Sequence, residues 1–565
     1  MNLAPGSLRS AKVTLLSAFL SFAAALLFYN LYLDRLITAM VRGESLPLLN
    51  HLIHNSQGAP LSYYILRARL FFSYLTLLAV AAQLCLAAAL ARDYTRRIVV
   101  DFFTTPTSPA NLAIFRVAVF VGVLSQIHPS ETIWFGGVPH ILQMAPVGVG
   151  WLLPHLPISV FSMTLAVTLL FAACVTGVLG FFSRTSALFA LLLSFYVLGV
   201  PEFYGTVEHY HHLIWFLAIL AVSPCGDALS VDALLKNAKR KIQGLALPPQ
   251  PSIVYSLPLR FACLLLGLIY FFPGIWKIKI SGFDWAFTDN LRYIMYARWM
   301  DLDGLTPFFR LDLHPWIYRN IALGTLIFEL SFLVVVFFPR LRPVLALAGL
   351  GFHFGSGFFM RIPFFDLWIC YVALFDVSGW LAAMARRFFP GRFSAGWLTQ
   401  NLAGRDGSGN AGVIVSSPKC YAPVAIVGTL LLLASLSWGA RGIVRGWPFA
   451  CYPRFAWNPG SEVDSIEVSA LTSSGAVVFQ DIPDLHHLLE YHAFGGQLNS
   501  LLQTREHDPN GFAVRMKALW SLYVQEDPRL GQASTLRCYR VTLNTIPELR
   551  HLNPVRRELI CELKL

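Results

Sequence analysis

Residues 253–279, IVYSLPLRFACLLLGLIYFFPGIWKIK, decide how the whole chain is read. The run from Ile253 to Phe272 is long enough to cross a bilayer, which takes about 20 apolar residues. Lys277 and Lys279 follow it directly, and Asp284-Trp285 comes soon after. A lysine held within a membrane is expensive, roughly 3 kcal/mol at a helix centre. Removal from water favours the neutral amine, which can act as a base. The competing reading is that both lysines snorkel to the interface and end a helix.

Similar apolar runs recur through the 565 residues: Val13–Leu33, Phe71–Ala91, Leu112–Ile127, Ile158–Phe182, Thr185–Val200, His212–Val222, Ile317–Phe338, Val344–Met360, Phe364–Leu381 and Ala422–Trp438. The composition agrees, at 56% hydrophobic and 13% charged, against about 25% charged for a soluble domain. The expected fold is an α-helical polytopic membrane protein of about 9–11 spans, followed by a soluble α+β domain. A net charge of +12 would suit nucleic acid, but the basic residues sit in short loops between apolar runs. That is the positive-inside pattern, so no nucleic-acid partner is inferred.

Charge also sets the expected topology. With the N-terminus inside, the cytoplasmic loops hold Arg92, Arg96 and Arg97; Lys236, Lys239, Arg240 and Lys241; Arg340 and Arg342; and Arg386, Arg387 and Arg392. The loop from His128 to Pro157 has no Lys or Arg, as an exported loop should. Eleven crossings place the C-terminus outside, with Lys277 at the extracytoplasmic end of its helix. The expected location is the cell (inner) membrane, with a cytoplasmic N-terminus and a periplasmic C-terminal domain. The first run lacks a signal-peptide cleavage site and reads as a retained helix.

Five divisions follow: an N-terminal two-helix extension (1–100), a membrane core (101–395), a flexible cytoplasmic linker (396–420), a last span (421–443) and a soluble domain (444–565). In that last domain Ser465–Leu471 and Ala476–Phe479 alternate like strands around Ser473-Ser474-Gly475. Helices are expected near Leu485–Leu502 and Gly511–Tyr523, and strands at Leu536–Leu543 and Glu558–Leu565. The nine cysteines show no metal-ligand spacing, and no metal is expected. Cys85, Cys174, Cys263 and Cys370 read as core residues, while Cys451, Cys538 and Cys561 leave one disulfide open without fixing the pair.

Glu208-His209-Tyr210-His211-His212 falls on the same expected outer side as Lys277. Such a cluster can shuttle protons or orient a base; the alternative is an interfacial belt between lipid and water. A helix through this stretch would put His209 and His212 on one face. Arg116, Glu329 and His353 interrupt apolar runs, where ionisable groups find partners inside the bundle. An Arg116–Glu329 pair is one arrangement. No phosphate-cradling loop, nucleophile elbow or dinucleotide fingerprint is present.

Several of these stretches, in this order, resemble the HTTM domain, the membrane core of vitamin K-dependent γ-glutamyl carboxylases and their bacterial relatives. They are Asn111-Leu112-Ala113-Ile114-Phe115-Arg116, Phe182-Ser183-Arg184-Thr185, the histidine segment, Leu229-Ser230-Val231-Asp232-Ala233-Leu234, Gly274-Ile275-Trp276-Lys277 with Asp284-Trp285, Phe352-His353-Phe354 and Ile362-Pro363-Phe364-Phe365. The resemblance covers about residues 107–380. It implies a membrane enzyme that uses a reduced vitamin K or menaquinol-type quinone, O2 and CO2 to carboxylate glutamate in a secreted peptide or protein.

The glutamate γ C–H is too weakly acidic for any side chain to deprotonate. In the family a lysine deprotonates the hydroquinone and O2 adds. The resulting alkoxide removes the γ proton, and the carbanion attacks CO2 with a histidine assisting. The resemblance maps the lysine to Lys277 and the histidine to His209, with His211 or His212 as alternatives; His212 is assigned to proton handling beside His209. It gives cofactor contacts to Trp276, Trp285 and His353. The chain departs from the family pattern at Trp276, which replaces one of two adjacent lysines, at Glu208, which replaces an Asn, and in its two extra leading helices. Lys277→Ala is expected to leave the protein inserted and abolish quinol oxidation.

The rival expectation is a non-catalytic HTTM scaffold in the maturation or export of a secreted peptide. In that role Lys277 and the histidines are replaceable. A solute transporter is weaker, since no inverted repeat or matched broken helices occur. The partners expected are the lipid bilayer, a lipophilic quinone and a secreted peptide.

Overall fold

The computed structural model describes residues 5–44, 59–152, 155–205, 209–243, 250–302, 304–388, 418–451, 455–482, 493–550 and 553–565. Glu208 and linker residues 396–417 lie outside them. Among the described residues, eight helices are long and apolar enough to cross a membrane, or ten if each of two bent pairs is one span. The long helices include α1 (Pro5–Leu31), α2 (Leu61–Leu90), α4 (Val160–Leu179), α5 (Ser183–Val197), α7 (Ile253–Ser281), α8 (Pro315–Val335), α9 (Arg342–Met360) and α11 (Pro418–Arg441).

The bent pairs are α3 (Pro109–Ser125) with 129–137, turned by 59°, and 365–374 with 377–384, turned by 78° and continuing as α10 (Val377–Phe388). A short apolar helix, α6 (His211–Val222), completes the set. The expected apolar runs fall on helical segments; Leu112–Ile127 and Phe364–Leu381 belong to the bent pairs, and His212–Val222 is too short to span.

Local chemistry explains the boundaries. The Ser252 hydroxyl accepts from Val254 N and caps α7, while Ser159 and Ser162 form a reciprocal capping box at α4. Gly180 ends α4 at φ 69°, a left-handed conformation that glycine adopts without a Cβ penalty.

Three of the quoted motifs meet just beyond that glycine. Asp232 accepts hydrogen bonds from Phe182 N (2.9 Å), Ser183 N (2.7 Å) and Ser183 Oγ (2.8 Å), tying the start of α5 to the Leu229–Leu234 stretch. Arg116, fully buried on α3, donates to the carbonyls of Cys225 (2.8 Å), Leu229 (2.7 Å) and Val178 (3.4 Å). The expected Arg116–Glu329 pair is not formed. Carbonyls left over at helix ends and turns bind its two terminal nitrogens instead, while Nε has no partner. Asn111 does similar work one turn earlier, donating to Asp376 Oδ1 (2.7 Å) and accepting from Ser378 N (2.9 Å) at the start of α10.

α1 and α2 pack on each other and join the core through ring packing on Phe283, hydrogen bonds from Phe283 N to Ser73 and from Tyr74 to the Lys279 carbonyl, and a charged knot. Arg69 donates to Asp34 (2.6 and 2.7 Å) and to Asp284, and Tyr29 Oη donates to the same Asp284 oxygen at 2.9 Å. Cys174, Cys263 and Cys370 are buried, but Cys85 is exposed because α2 turns only one face to the protein.

The C-terminal domain is an antiparallel sheet in the order β2-β1-β3-β4, comprising β1 (Glu462–Leu471), β2 (Val477–Asp481), β3 (Thr535–Asn544) and β4 (Arg556–Lys564). α12 (Ala493–Thr504) and α13 (Pro509–Glu526) pack on it, with Leu498, Met516 and Trp520 joining Ile466, Val468 and Leu536 in one core. Cys538 and Cys561 are opposite each other in the β3–β4 register, both as thiols. The domain rests on the loop before α8. Met300 packs with Val541 and Leu543, Arg310 bonds Glu548 at 2.8 Å, and Arg550 bonds the Gly304 carbonyl.

Candidate functional site

α7 places Tyr270, Pro273 and Lys277 along one cavity, and the spacing explains why. Positions seven apart return to the same helical face. The cavity holds about 430 Å³ and is bounded by α7, α8, α9 and the short helices after them. Its wall is overwhelmingly apolar, with Ile269, Leu291, Ile294, Phe328, Phe352 and Phe455 among its members. Phe455 comes from the segment after α11, whose carbonyl accepts from Trp285 Nε1.

The two lysines separate completely. Lys279 is exposed and lies 3.7 Å from the Trp276 ring centroid, a cation–π contact at the surface. Lys277 is 4% exposed and turns inward. Its ammonium donates to Glu329 Oε1 of α8 and sits 4.7 Å from the Trp285 ring centroid. Glu329 is 3% exposed, and its second oxygen has no hydrogen-bond partner. An amine was expected here; its carboxylate partner was not. With both groups desolvated, the chemical question becomes where one proton sits within a pair.

A second polar group faces the same cavity two turns up α7. Tyr270 Oη lies 2.6 Å from His353 Nε2 and 2.5 Å from Tyr371 Oη, and Tyr371 lies 3.3 Å from His353. His353 is 1% exposed, and its Nδ1 has no partner. Pro273, between Tyr270 and Lys277, cannot donate the helical hydrogen bond that would reach Ile269.

The remaining expected site residues are distributed as follows. His209 lines the cavity, its ring 5.6 Å from that of Phe364. His212 is not among the lining residues; it lies behind the wall, 3.1 Å from the Asp366 carbonyl and 3.6 Å from its carboxylate. His211 points elsewhere, bonding the Gly446 carbonyl at 3.0 Å against the Trp447 ring. Trp285 and His353 line the cavity. Trp276 turns away from it, donating to the Gly439 carbonyl at 2.9 Å, with the turn after α11 pressed so close that a Cβ on Gly442 would strike the indole.

So Lys277, His209, His353 and Trp285 share one chamber with Glu329 and Tyr270, and His212 stands one layer behind. Glu329 is legible as a charge inside an apolar run, but its partner is not. Tyr270 carried a signal, its seven-residue spacing from Lys277. Tyr371 carried none, being one aromatic among many. Among the described residues no group of three or more His, Cys, Asp or Glu is arranged to hold a metal ion.

The residues fit a lipophilic ring carrying hydroxyl or carbonyl groups. The chamber falls within the usual range for small-molecule sites, about 300–1,000 Å³. Apolar walls accept the ring, and Lys277, Glu329, Tyr270 and His353 are polar residues among those that line the chamber. Comparison with family models, with curated proteins and with solved structures returned no match for this chain.

Proposed function

We propose that this chain is a multi-pass membrane enzyme of the vitamin K-dependent carboxylase-like kind, coupling a membrane quinol to the carboxylation of glutamate in a secreted peptide or protein. One observation carries the reading: a lysine–glutamate pair buried in an apolar chamber that also holds two histidines. A bound quinol would supply, with O2, the strong base that no side chain can provide, and CO2 would be the second substrate. In this reading the Lys277–Glu329 pair takes the first quinol proton. His209 and His353 orient the ring from the far side, Trp285 flanks the amine, and His212 steadies His209 from behind. The soluble domain lies outside, over the loop before α8, and receives the peptide.

Removing Lys277 alone would strand the Glu329 carboxylate, so the discriminating variant is the neutral pair Lys277→Gln with Glu329→Gln. It should purify as a folded protein and fail to oxidise menaquinol. Wild-type rates of oxidation in that variant would refute the assignment.

A second reading is favoured by the same contact. An ion pair between α7 and α8 also pins two helices, as a non-catalytic scaffold in peptide maturation requires. Exchanging the charges, Lys277→Glu with Glu329→Lys, separates the two. A scaffold keeps its phenotype when the pair is inverted, whereas an enzyme loses turnover.

A further inference from the structure

Away from the chamber, two arginines are drawn together at the other end of α7. Arg260 is the eighth residue of α7, and Arg342 is the first residue of α9. Both guanidinium groups lie over one phenyl ring, that of Phe102 on helix Arg92–Thr104, with their carbons 5.2 and 5.7 Å from its centroid. Phe102 and Arg342 are buried, and Arg260 is partly so. Like charges gathered in such surroundings repel strongly, because little water screens them. Arg342 also stands at the positive end of the α9 dipole, which favours an anion and disfavours a cation.

The bundle supplies no acid to answer this charge. Arg342 donates from Nε to the Val336 carbonyl (2.8 Å) and from Nη1 to the Leu374 carbonyl (3.1 Å), which leaves Nη2 over. Arg260 Nε is buried without a partner. Among the described residues no Asp or Glu acts on either arginine. Depth narrows what could. Seventeen residues separate Arg260 from Lys277, about 26 Å of helix, and the hydrocarbon layer is about 30 Å thick. With Lys277 near one edge of that layer, Arg260 falls at the other, where lipid phosphates lie. Arg92, Arg96 and Arg97 are on the same helix as Phe102, so this is the basic side of the bundle.

We propose that Arg260 and Arg342 form a binding site for a phosphate anion, with the Phe102 ring between them as its floor. The phosphate is carried by an anionic phospholipid or comes free from solution. A guanidinium fork matches two phosphate oxygens, and each charge-assisted bond is strong where water is scarce. A bound anion removes the repulsion between the two arginines and complements the start of α9. Neither arginine lines the chamber, so the proposal stands apart from the quinol reading.

The test titrates the full-length protein in detergent with phosphatidylglycerol and, separately, with sodium phosphate at constant ionic strength, following thermal melting and, by native mass spectrometry, retained lipid. Arg342 also holds two carbonyls, so Arg260 is the residue to change. Wild type should bind one of the two probes about tenfold or more tighter than Arg260→Gln does. Arg260→Lys, which keeps the charge without the fork, should fall between them and serves as the comparison if the glutamine variant does not purify. Lys239→Gln removes an exposed charge elsewhere and should bind like wild type. An Arg260-dependent response to phosphatidylglycerol alone assigns the site to lipid, and one to sodium phosphate assigns it to the free ion. Equal responses of wild type and the Arg260 variants to both probes overturn the proposal. So does an equal loss in Lys239→Gln, which would mean diffuse attraction to a basic surface.

Discussion

Two regions of the membrane bundle bury polar groups, and they have opposite character. Around Arg116 and Asp232 the chain closes on itself. Two guanidinium nitrogens reach three carbonyls, one carboxylate gathers three donors, and a Cβ on Gly180 would collide with Ser230 and lie 2.8 Å from Arg116 Nη1. Around Lys277 the chain stops short. A carboxylate oxygen and an imidazole nitrogen lack partners, and Gly324, Gly351 and Gly355 of the chamber wall face empty space. Buried polarity is costly unless satisfied. Arg116 Nε lacks a partner as well, so what separates the two regions is space: the surroundings of Arg116 are packed solid, whereas Lys277 borders a cavity. Both regions contain motifs of the quoted resemblance, so that resemblance mixes fastening residues with site residues.

The largest effect should come from the closed region. Gly180→Leu forces a left-handed φ on a branched side chain and drives it into Ser230 and Arg116, costing about 4 kcal/mol or more. Folded protein should be lost on size exclusion, while Gly351→Leu elutes like wild type. Similar losses in both variants would erase the contrast. Next, Lys277→Met leaves the Glu329 carboxylate buried and unpaired, at a cost of about 3–5 kcal/mol. Thermal melting should fall sharply in that single variant and recover in Lys277→Met with Glu329→Gln. Equal melting of single and double variants would mean that the pair is solvated.

The smallest effect belongs to the contact between the soluble domain and the bundle. Burial pushes the Asp312 carboxyl up, but hydrogen bonds from Arg310 and Tyr296 hold it below the ordinary value; the Arg310 bond does the same for Glu548. Groups lowered in the folded state contribute stability above their unfolded values, about 3.9 and 4.3, and lose it as pH falls through the lower folded values. Docking should thus be intact at neutral pH and weaken below about pH 4. Arg310→Ala should cost about 1 kcal/mol at neutral pH and flatten that acid dependence. Hydrogen exchange in β3 and in residues 290–301 measures both, and an unaltered acid profile in the variant would dismiss the contact.

Much of the bundle was legible because span length and hydropathy are properties of consecutive residues. Val13–Leu33 and Ile253–Phe272 announce themselves, and strands such as Leu536–Leu543 show their alternation. Bends are less legible. The 59° turn falls where the run ends before Pro129, but nothing in the hydropathy of Phe364–Leu381 announces its turn of 78°. The site was half legible for the same reason. Lys277 stands out because an amine beside a long apolar run is costly wherever it points. Its pairing with Glu329 instead of Arg116 depends on how α3, α7 and α8 are arranged in space, which no single segment records. The open glycines were invisible, because emptiness beside a residue is a property of its neighbours.

Asp284 and Trp285 are joined by one peptide bond yet serve different bodies. The acid holds Arg69 and Tyr29 of the leading hairpin, while the indole forms part of the chamber wall beside the amine. A shift of the hairpin large enough to drag that peptide displaces the wall, and a guest that moves the indole pulls on the knot. By linkage the two equilibria trade free energy in equal measure in both directions. Detaching the first two helices would then register as altered occupancy of a chamber they scarcely touch.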